Sequence, residues 1–443
     1  MKRLVALLLL ATVAAACTAE ERSSQGLTST SAPPAVTTSV PDPVTAGGAR
    51  TAEAAIRALC DVPAPTGEPV EPGETPAPIA EVQSQVEAVR GLEYLTPVAA
   101  TPIDDVTMDR KLEEAFDMYY PEALYERRTA AWATIGVIPP DADLLEAYRS
   151  YLTGQVVGFY DSITGELVYL GDQDDDLGLM ERMVLAHELT HAIDDQHFDL
   201  TRLDDLSTSC RDEAFAAGLG VVEGSAQYFS TEVLLDNPDD IDLTEALGAL
   251  AQELVGSQAA SDVPPFVQAL QQWPYLAGQA FVTEIAIADG DDAVDGALRD
   301  LPETTEQILH PDRYPSDEPT EVDLPDISES LGGGWGDLDA MEVGEAWLSA
   351  MLDLRLDADL ATTAADGWDG GVYRAWTDGN DVVVALNTAW DTPGEAEAFA
   401  DALGSWLDAG DTVGTVLPNG VALFATDEAQ LVAAADGLRD PTT

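Results

Sequence analysis

Positive charge is what this chain is shortest of. It has 19 Lys+Arg against 82 Asp+Glu over 443 residues, a formal net charge of −63. Its lysines are Lys2 and Lys111 alone. So acidic a surface argues against nucleic acid or anionic lipid as a partner, since both are polyanions. It fits a protein kept soluble in high salt, or a secreted one. Cysteine is also scarce, at Cys17, Cys60 and Cys210, and histidine is limited to His187, His191, His197 and His310. The first apolar run, Leu4 to Ala16, is too short to span a bilayer. No internal repeat of useful length is present.

What the chain does contain is graded along its length. Met1-Lys2-Arg3 followed by residues 4–16 reads as a signal peptide, with a basic start, an apolar stretch and small residues before the cut. Cleavage after Ala16 would expose Cys17, and Ala14-Ala15-Ala16-Cys17 resembles a bacterial lipobox, although Ala14 stands where Leu is usual. This predicts a lipid anchor on Cys17, so that the membrane is a partner only through that anchor. An ordinary A-x-A cleavage site and a secreted protein is the alternative. The mature chain would carry −65, because the removed segment holds Lys2 and Arg3 and no acid. With Cys17 lipidated, Cys60 and Cys210 remain as an even pair in an oxidising compartment, and a disulfide between them is the simplest arrangement.

Residues 17–78 read as a tether and linker: Thr, Ser, Pro, Ala and Gly to about residue 48, a helical patch at 51–60, then six prolines between 61 and 78. The globular part is expected over 79–358. Helical spacing runs over 107–133, 141–153, 214–235, 242–260, 275–300 and 341–356. Residues 156–161 and 167–170 are β-rich runs around a turn at 162–165, which predicts a hairpin. Residues 366–440 form an accessory unit without His or Cys, with strands at 372–377, 381–388, 411–417 and 420–425 and helices at 393–407 and 427–438. The fold class expected is therefore α+β: a mostly helical domain with a small sheet, then a C-terminal ββαββα sandwich.

Three of the four histidines fall in one stretch, His187-Glu188-Leu189-Thr190-His191-Ala192-Ile193-Asp194-Asp195-Gln196-His197. His187 and His191 lie one turn apart on one helix face. This is H-E-x-x-H, in which two imidazoles hold Zn²⁺ and the Glu, here Glu188, is general base toward water. Apolar residues from Leu179 to Ile193 follow helical spacing, and Asp174, Asp175 and Asp176 suit the start of such a helix. A hairpin directly ahead can offer an edge strand to an extended peptide.

A catalytic zinc wants three protein ligands and one open position. One candidate for the third is His197, where H-E-x-x-H-x-x-G-x-x-H would place it, but Asp194 occupies the Gly position that lets the chain leave the helix. If the helix continues, His197 points about 120° away from the metal side. The other candidate is Glu223, followed by Gly224 and Ala226, small residues that allow close helix approach. Here the sequence resembles the gluzincin metallopeptidases: His187 to Asp195 is similar to the thermolysin helix, and Glu223-Gly-Ser-Ala-Gln-Tyr228 to the E-G-x-A motif. The resemblance covers residues 155–235 well and the rest loosely. It implies a zincin-like fold, His187, His191 and Glu223 as zinc ligands, and Glu188 as base. The gap to Glu223 is longer than in well-known gluzincins, which a loop from Asp194 to Asp212 pinned by Cys210 would accommodate. Gln227 stands where thermolysin-like enzymes carry an Asp, and its carbonyl could orient a ligand His.

These roles predict an extracytoplasmic zinc peptidase. His310, Tyr228 and Tyr275 are the candidates for stabilising the oxyanion. A binding lipoprotein with a structural zinc is the first rival, and Glu188 counts against it, since a structural site needs no base. A zinc hydrolase of non-peptide substrates is the second.

Overall fold

The computed structural model describes residues 40–44, 50–153, 156, 158–171, 177–237 and 263–439. The segment 1–16, Cys17, most of the tether, Asp174 to Asp176 and the helix expected over 242–260 lie outside the described residues.

The chain is α+β, as expected. In order, the elements are α1 (Ala52–Leu59), α2 (Ala77–Arg90), β1 (Ala99–Ile103), α3 (Asp105–Tyr119), α4 (Glu122–Ile135), α5 (Leu144–Thr153), β2 (Gly158–Asp161), β3 (Glu166–Leu170), α6 (Leu179–Phe198), α7 (Arg202–Thr208), α8 (Asp212–Asp236), α9 (Pro265–Asp289), α10 (Asp291–Arg299) and α11 (Thr305–Leu309). There follow α12 (Ser328–Leu331), β4 (Gly336–Glu342), α13 (Glu345–Asp353), α14 (Ala358–Ala365), β5 (Trp368–Thr377), β6 (Val382–Trp390), α15 (Pro393–Asp408), β7 (Gly414–Val416), β8 (Ala422–Ala425) and α16 (Glu428–Arg439).

Several expected elements are cut by their own punctuation. The 107–133 run splits at Pro121, which cannot continue α3 and instead stands at the N-cap of α4. The 275–300 run splits at Gly290, whose φ of 82° stops α9 and starts α10. The 341–356 run begins as strand, because residues up to Glu342 alternate with partners on β5 and only Glu345 onward is helical. The hairpin is present as β2 and β3, and β1 adds parallel to β3, giving the order β1-β3-β2 with β2 at the edge.

The second sheet has the order β4-β5-β6-β8-β7. The strands and helices expected after residue 366 are all present, and the sheet also takes in β4 from ahead of that boundary. Its two faces are covered differently. Tyr373, Val384 and Phe424 face a core shared with Trp132 of α4, Phe266 of α9 and Trp347 of α13. Trp376, Val383 and Leu423 face α1, α12 and α16. Helix α1, expected within the tether, is thus built into the fold. Cys60 and Cys210 form a disulfide, as the sequence suggested, joining the end of α1 to the start of α8.

Helix α6 packs on α2 and the three-stranded sheet through Leu185, Leu189 and Ile193. Helix α8 lies against both α6 and α9. A Cβ on Gly278 of α9 would stand 1.9 Å from the Gly220 carbonyl oxygen, and one on Gly224 would stand 2.3 Å from the Gly278 carbonyl oxygen. Backbones therefore touch at these glycines. Gly224 is small for the sake of α9, a different neighbour from the one the sequence suggested.

Candidate metal centre

Helix α6 runs unbroken through Asp194 to Phe198 and stops at Asp199, which has a φ of 60°. Asp194 is buried, with Arg90 Nε 2.7 Å from its Oδ1 and the Ser225 hydroxyl donating to its Oδ2 at 2.6 Å. Arg90 also bonds Asp295 at 2.6 Å. With the helix held straight by this pair, His197 lands at the surface, its Nε2 2.9 Å from the Glu93 carbonyl oxygen. It does not join the other two histidines.

Glu223 does join them. His187 Nε2 lies 3.1 Å from Glu223 Oε2 and 3.1 Å from His191 Nε2, and His191 Nε2 lies 3.5 Å from Glu223 Oε2. All three donor atoms fall within 4.8 Å of one another. Both imidazole rings meet edge to face. Burial alone would push the Glu223 carboxyl up, but His191 and His187 reverse this and hold it well below the usual carboxylate range. Glu188 is buried, and burial pushes its carboxyl up, only partly offset by His187 and His191. Its Oε2 accepts the backbone N–H of Tyr160 on β2 at 2.9 Å. The edge strand and the helix are thus joined through this carboxylate.

The stretch from Asp194 to Asp212, expected as a loop, is the end of α6, the short helix α7 and a turn at Cys210. Gln227 is buried, and its Nε2 has no hydrogen-bond partner; neither has His187 Nδ1. The bond by which Gln227 was expected to orient a ligand histidine is thus not made to His187.

A cavity of about 500 Å³ opens beside the triad and is lined by His191, Glu223, Tyr160 and Tyr275. The Tyr275 ring stacks near His187, with centroids 6.4 Å apart. Tyr228 and His310 do not line this cavity. Tyr228 packs against Phe229 in the core of α8 to α10. His310 Nε2 lies 3.1 Å from both Glu345 carboxylate oxygens and 3.5 Å from Asp366.

Part of the wall comes from the C-terminal sheet and its neighbours: Met341, Glu342, Gly344, Ala346 and Trp347. Arg128 of α4 lines the cavity too and ties the two parts together, bonding Asp212 at 2.7 Å and Asp339 of β4 at 3.4 Å. Residues 330–436 match the model of a domain of unknown function, DUF8575. That match opens in α12 and closes in α16, so the wall residues 341–347 belong to it. No curated protein sequence matches the chain. A solved structure from Chloroflexus aurantiacus, described as a candidate hydrolase with a novel fold, is similar at 16% identity and a TM-score of 0.35, over 59% of this chain and 95% of that one. At that score the likeness bears on neither fold nor chemistry.

Sequence reasoning missed Arg90, Ser225 and Asp295, the polar groups that steady α6. One signal was present: Arg90 continues the buried stripe Ile79, Val82, Val86 of α2.

Proposed function

We propose that the protein is a zinc-dependent peptidase of gluzincin type. The observation that supports this best is the meeting of His187, His191 and Glu223 at one point, with Glu188 fixed to β2 next to them. Two imidazole nitrogens and a carboxylate are a zinc donor set that leaves one position for substrate or water. Their separations of 3.1, 3.1 and 3.5 Å suit tetrahedral edges of about 3.4 Å, as bonds of about 2.1 Å require. Zinc bound there supplies a Lewis acid that lowers the pKa of water and polarises a carbonyl.

The chain's own groups do the rest. Glu188 is held at Oε2 by the Tyr160 N–H, so Oε1 takes the proton from the attacking water and returns it to the leaving amine. Tyr275 is the candidate for steadying the oxyanion, since it lines the cavity beside His187. A peptide would lie extended along β2, the edge strand, in β-addition. A structural zinc needs no base, so Glu188 favours catalysis over the binding-protein alternative.

The setting we propose is extracytoplasmic, with Cys17 lipidated. The Cys60–Cys210 disulfide fits an oxidising compartment. Among the described residues no helix is long and apolar enough to cross a membrane. Purified protein should hydrolyse unfolded casein, lose that activity to a chelator and regain it with added zinc. Zinc-loaded protein that leaves casein and a broad peptide mixture intact would overturn the reading.

A further inference from the structure

The carboxylates that line the cavity differ in how they are satisfied. Asp212 receives Arg128 at 2.7 and 3.3 Å. Glu213 accepts from the Thr305 backbone N–H at 2.5 Å and from its hydroxyl at 2.8 Å. Glu342 pairs with Arg211 at 3.2 Å. Asp204, on α7, is the exception. Its Oδ2 is shielded from water and has no hydrogen-bond partner, and the group that reaches the carboxylate is the uncharged Tyr119 hydroxyl. Among the described residues no Lys, Arg or His nitrogen stands within 4 Å of it, and the charges around it are Asp161, Asp195 and Asp205. A shielded carboxylate oxygen without a partner is costly, and the natural relief is a cation.

The cavity offers a route for one. Tyr119 and Tyr160 line the cavity as well, their hydroxyls directed to Asp204 and Asp195, and aromatic rings attract ammonium and guanidinium groups. The one arginine on the wall, Arg128, is committed to Asp212 and Asp339 and leaves Asp204 uncompensated. At −63 overall, the molecule also draws cationic chains toward itself. A neutral side chain would leave the Asp204 charge uncompensated, and an acidic one would add a fourth negative charge to the three around it.

We infer that the part of the cavity at Asp204 is a subsite for a Lys or Arg side chain flanking the scissile bond, with Asp204 as the carboxylate that selects it. This rests on the peptidase reading and names its substrate class: peptides with a basic residue at the cleavage site.

The test uses full-length, zinc-loaded protein and peptides that differ at one position, Lys, norleucine or Glu, placed in turn on each side of the cleaved bond. On the side that enters the cavity, kcat/KM for Lys should exceed that for norleucine at least about tenfold, as expected for one partly desolvated charge pair. Asp204→Asn should collapse that ratio, Asp204→Glu should restore part of it, and Asp204→Lys should move the preference toward Glu. A ratio near one in the parent, or one unchanged in Asp204→Asn, would overturn the subsite. A second arm measures binding of fluorescent versions of the same peptides to Glu188→Gln by anisotropy. Tighter binding of the Lys peptide, lost in Glu188→Gln/Asp204→Asn, supports the subsite. Lys-selective binding without cleavage of any peptide would sink the peptidase reading and leave the subsite standing. Cleavage without Lys preference would do the reverse.

Discussion

Arg90 and Asp194 form an ion pair at 2.7 Å in which both side chains are only 1% exposed. The pair sits three residues beyond His191, and the Ser225 hydroxyl of α8 joins it at Asp194. Removing one partner of a buried pair costs about 3–5 kcal/mol, because the other charge is left uncompensated. Arg90→Met should therefore destabilise the protein by about that much, measured by guanidinium unfolding. Ser225→Ala, which removes one hydrogen bond to Asp194, should cost only about 1–3 kcal/mol.

The base and the ligands can be separated. Glu188→Gln leaves all three proposed zinc donors in place and should keep the metal, measured by atomic emission. Hydrolysis should fall by about 10²-fold or more, the usual contribution of a positioned base. A variant as active as the parent would reject Glu188 as the proton carrier.

The choice of third ligand predicts an asymmetry. Glu223→Ala leaves two donors and should lose most of the zinc, whereas His197→Ala removes a surface hydrogen bond to Glu93 and should keep it. Zinc lost from the His197 variant and retained by the Glu223 variant would reverse the assignment.

Glu213 gives a stability signature in pH. Burial pushes its carboxyl up to about 7 from an ordinary 4.5, despite two hydrogen bonds from Thr305. Below pH 4.5 both folded and unfolded states are protonated at this site, so it contributes nothing. As pH rises toward 7 the unfolded chain releases its proton first, and the native state loses up to about 3 kcal/mol relative to it. Glu213→Gln can keep both bonds from Thr305 and escapes the loss. Its stability relative to the parent should rise between pH 4.5 and 7 and level off above. A flat difference across that range, from unfolding at each pH, would contradict the assignment.

The disulfide closes a separation of 150 residues. A bridge over so long a loop stabilises by about 2–5 kcal/mol through the unfolded state. Cys60→Ser/Cys210→Ser should lower the unfolding midpoint accordingly, and alkylation of the parent before reduction should find neither thiol.

The centre of the molecule was legible because its chemistry is local. Two histidines one turn apart and a glutamate between them need only a helix, and the apolar spacing from Leu179 to Ile193 predicts one. Glu223 was legible only through the E-G-x-A resemblance, since helix spacing alone says nothing of which helix meets which. The cause of Gly224 could not be read for that reason: its partner, Gly278, lies 54 positions later on α9. Asp194 reads in sequence as a poor substitute for glycine. Its partner Arg90 stands 104 residues earlier, and their pairing turns an apparent defect in one motif into the support of another. Strand β4 was missed because its pairing with β5 skips α13 and α14.

The shared core has a consequence for anyone who would trim this chain. Trp132, Phe266 and Trp347 close on Tyr373, Phe424 and Trp406, so one apolar interior is assembled from segments nearly three hundred residues apart. A cut near residue 330 would strip the apolar cover from both pieces together. The segment that a family model singles out behaves as one half of a mould, and the cavity beside His191 is the cast.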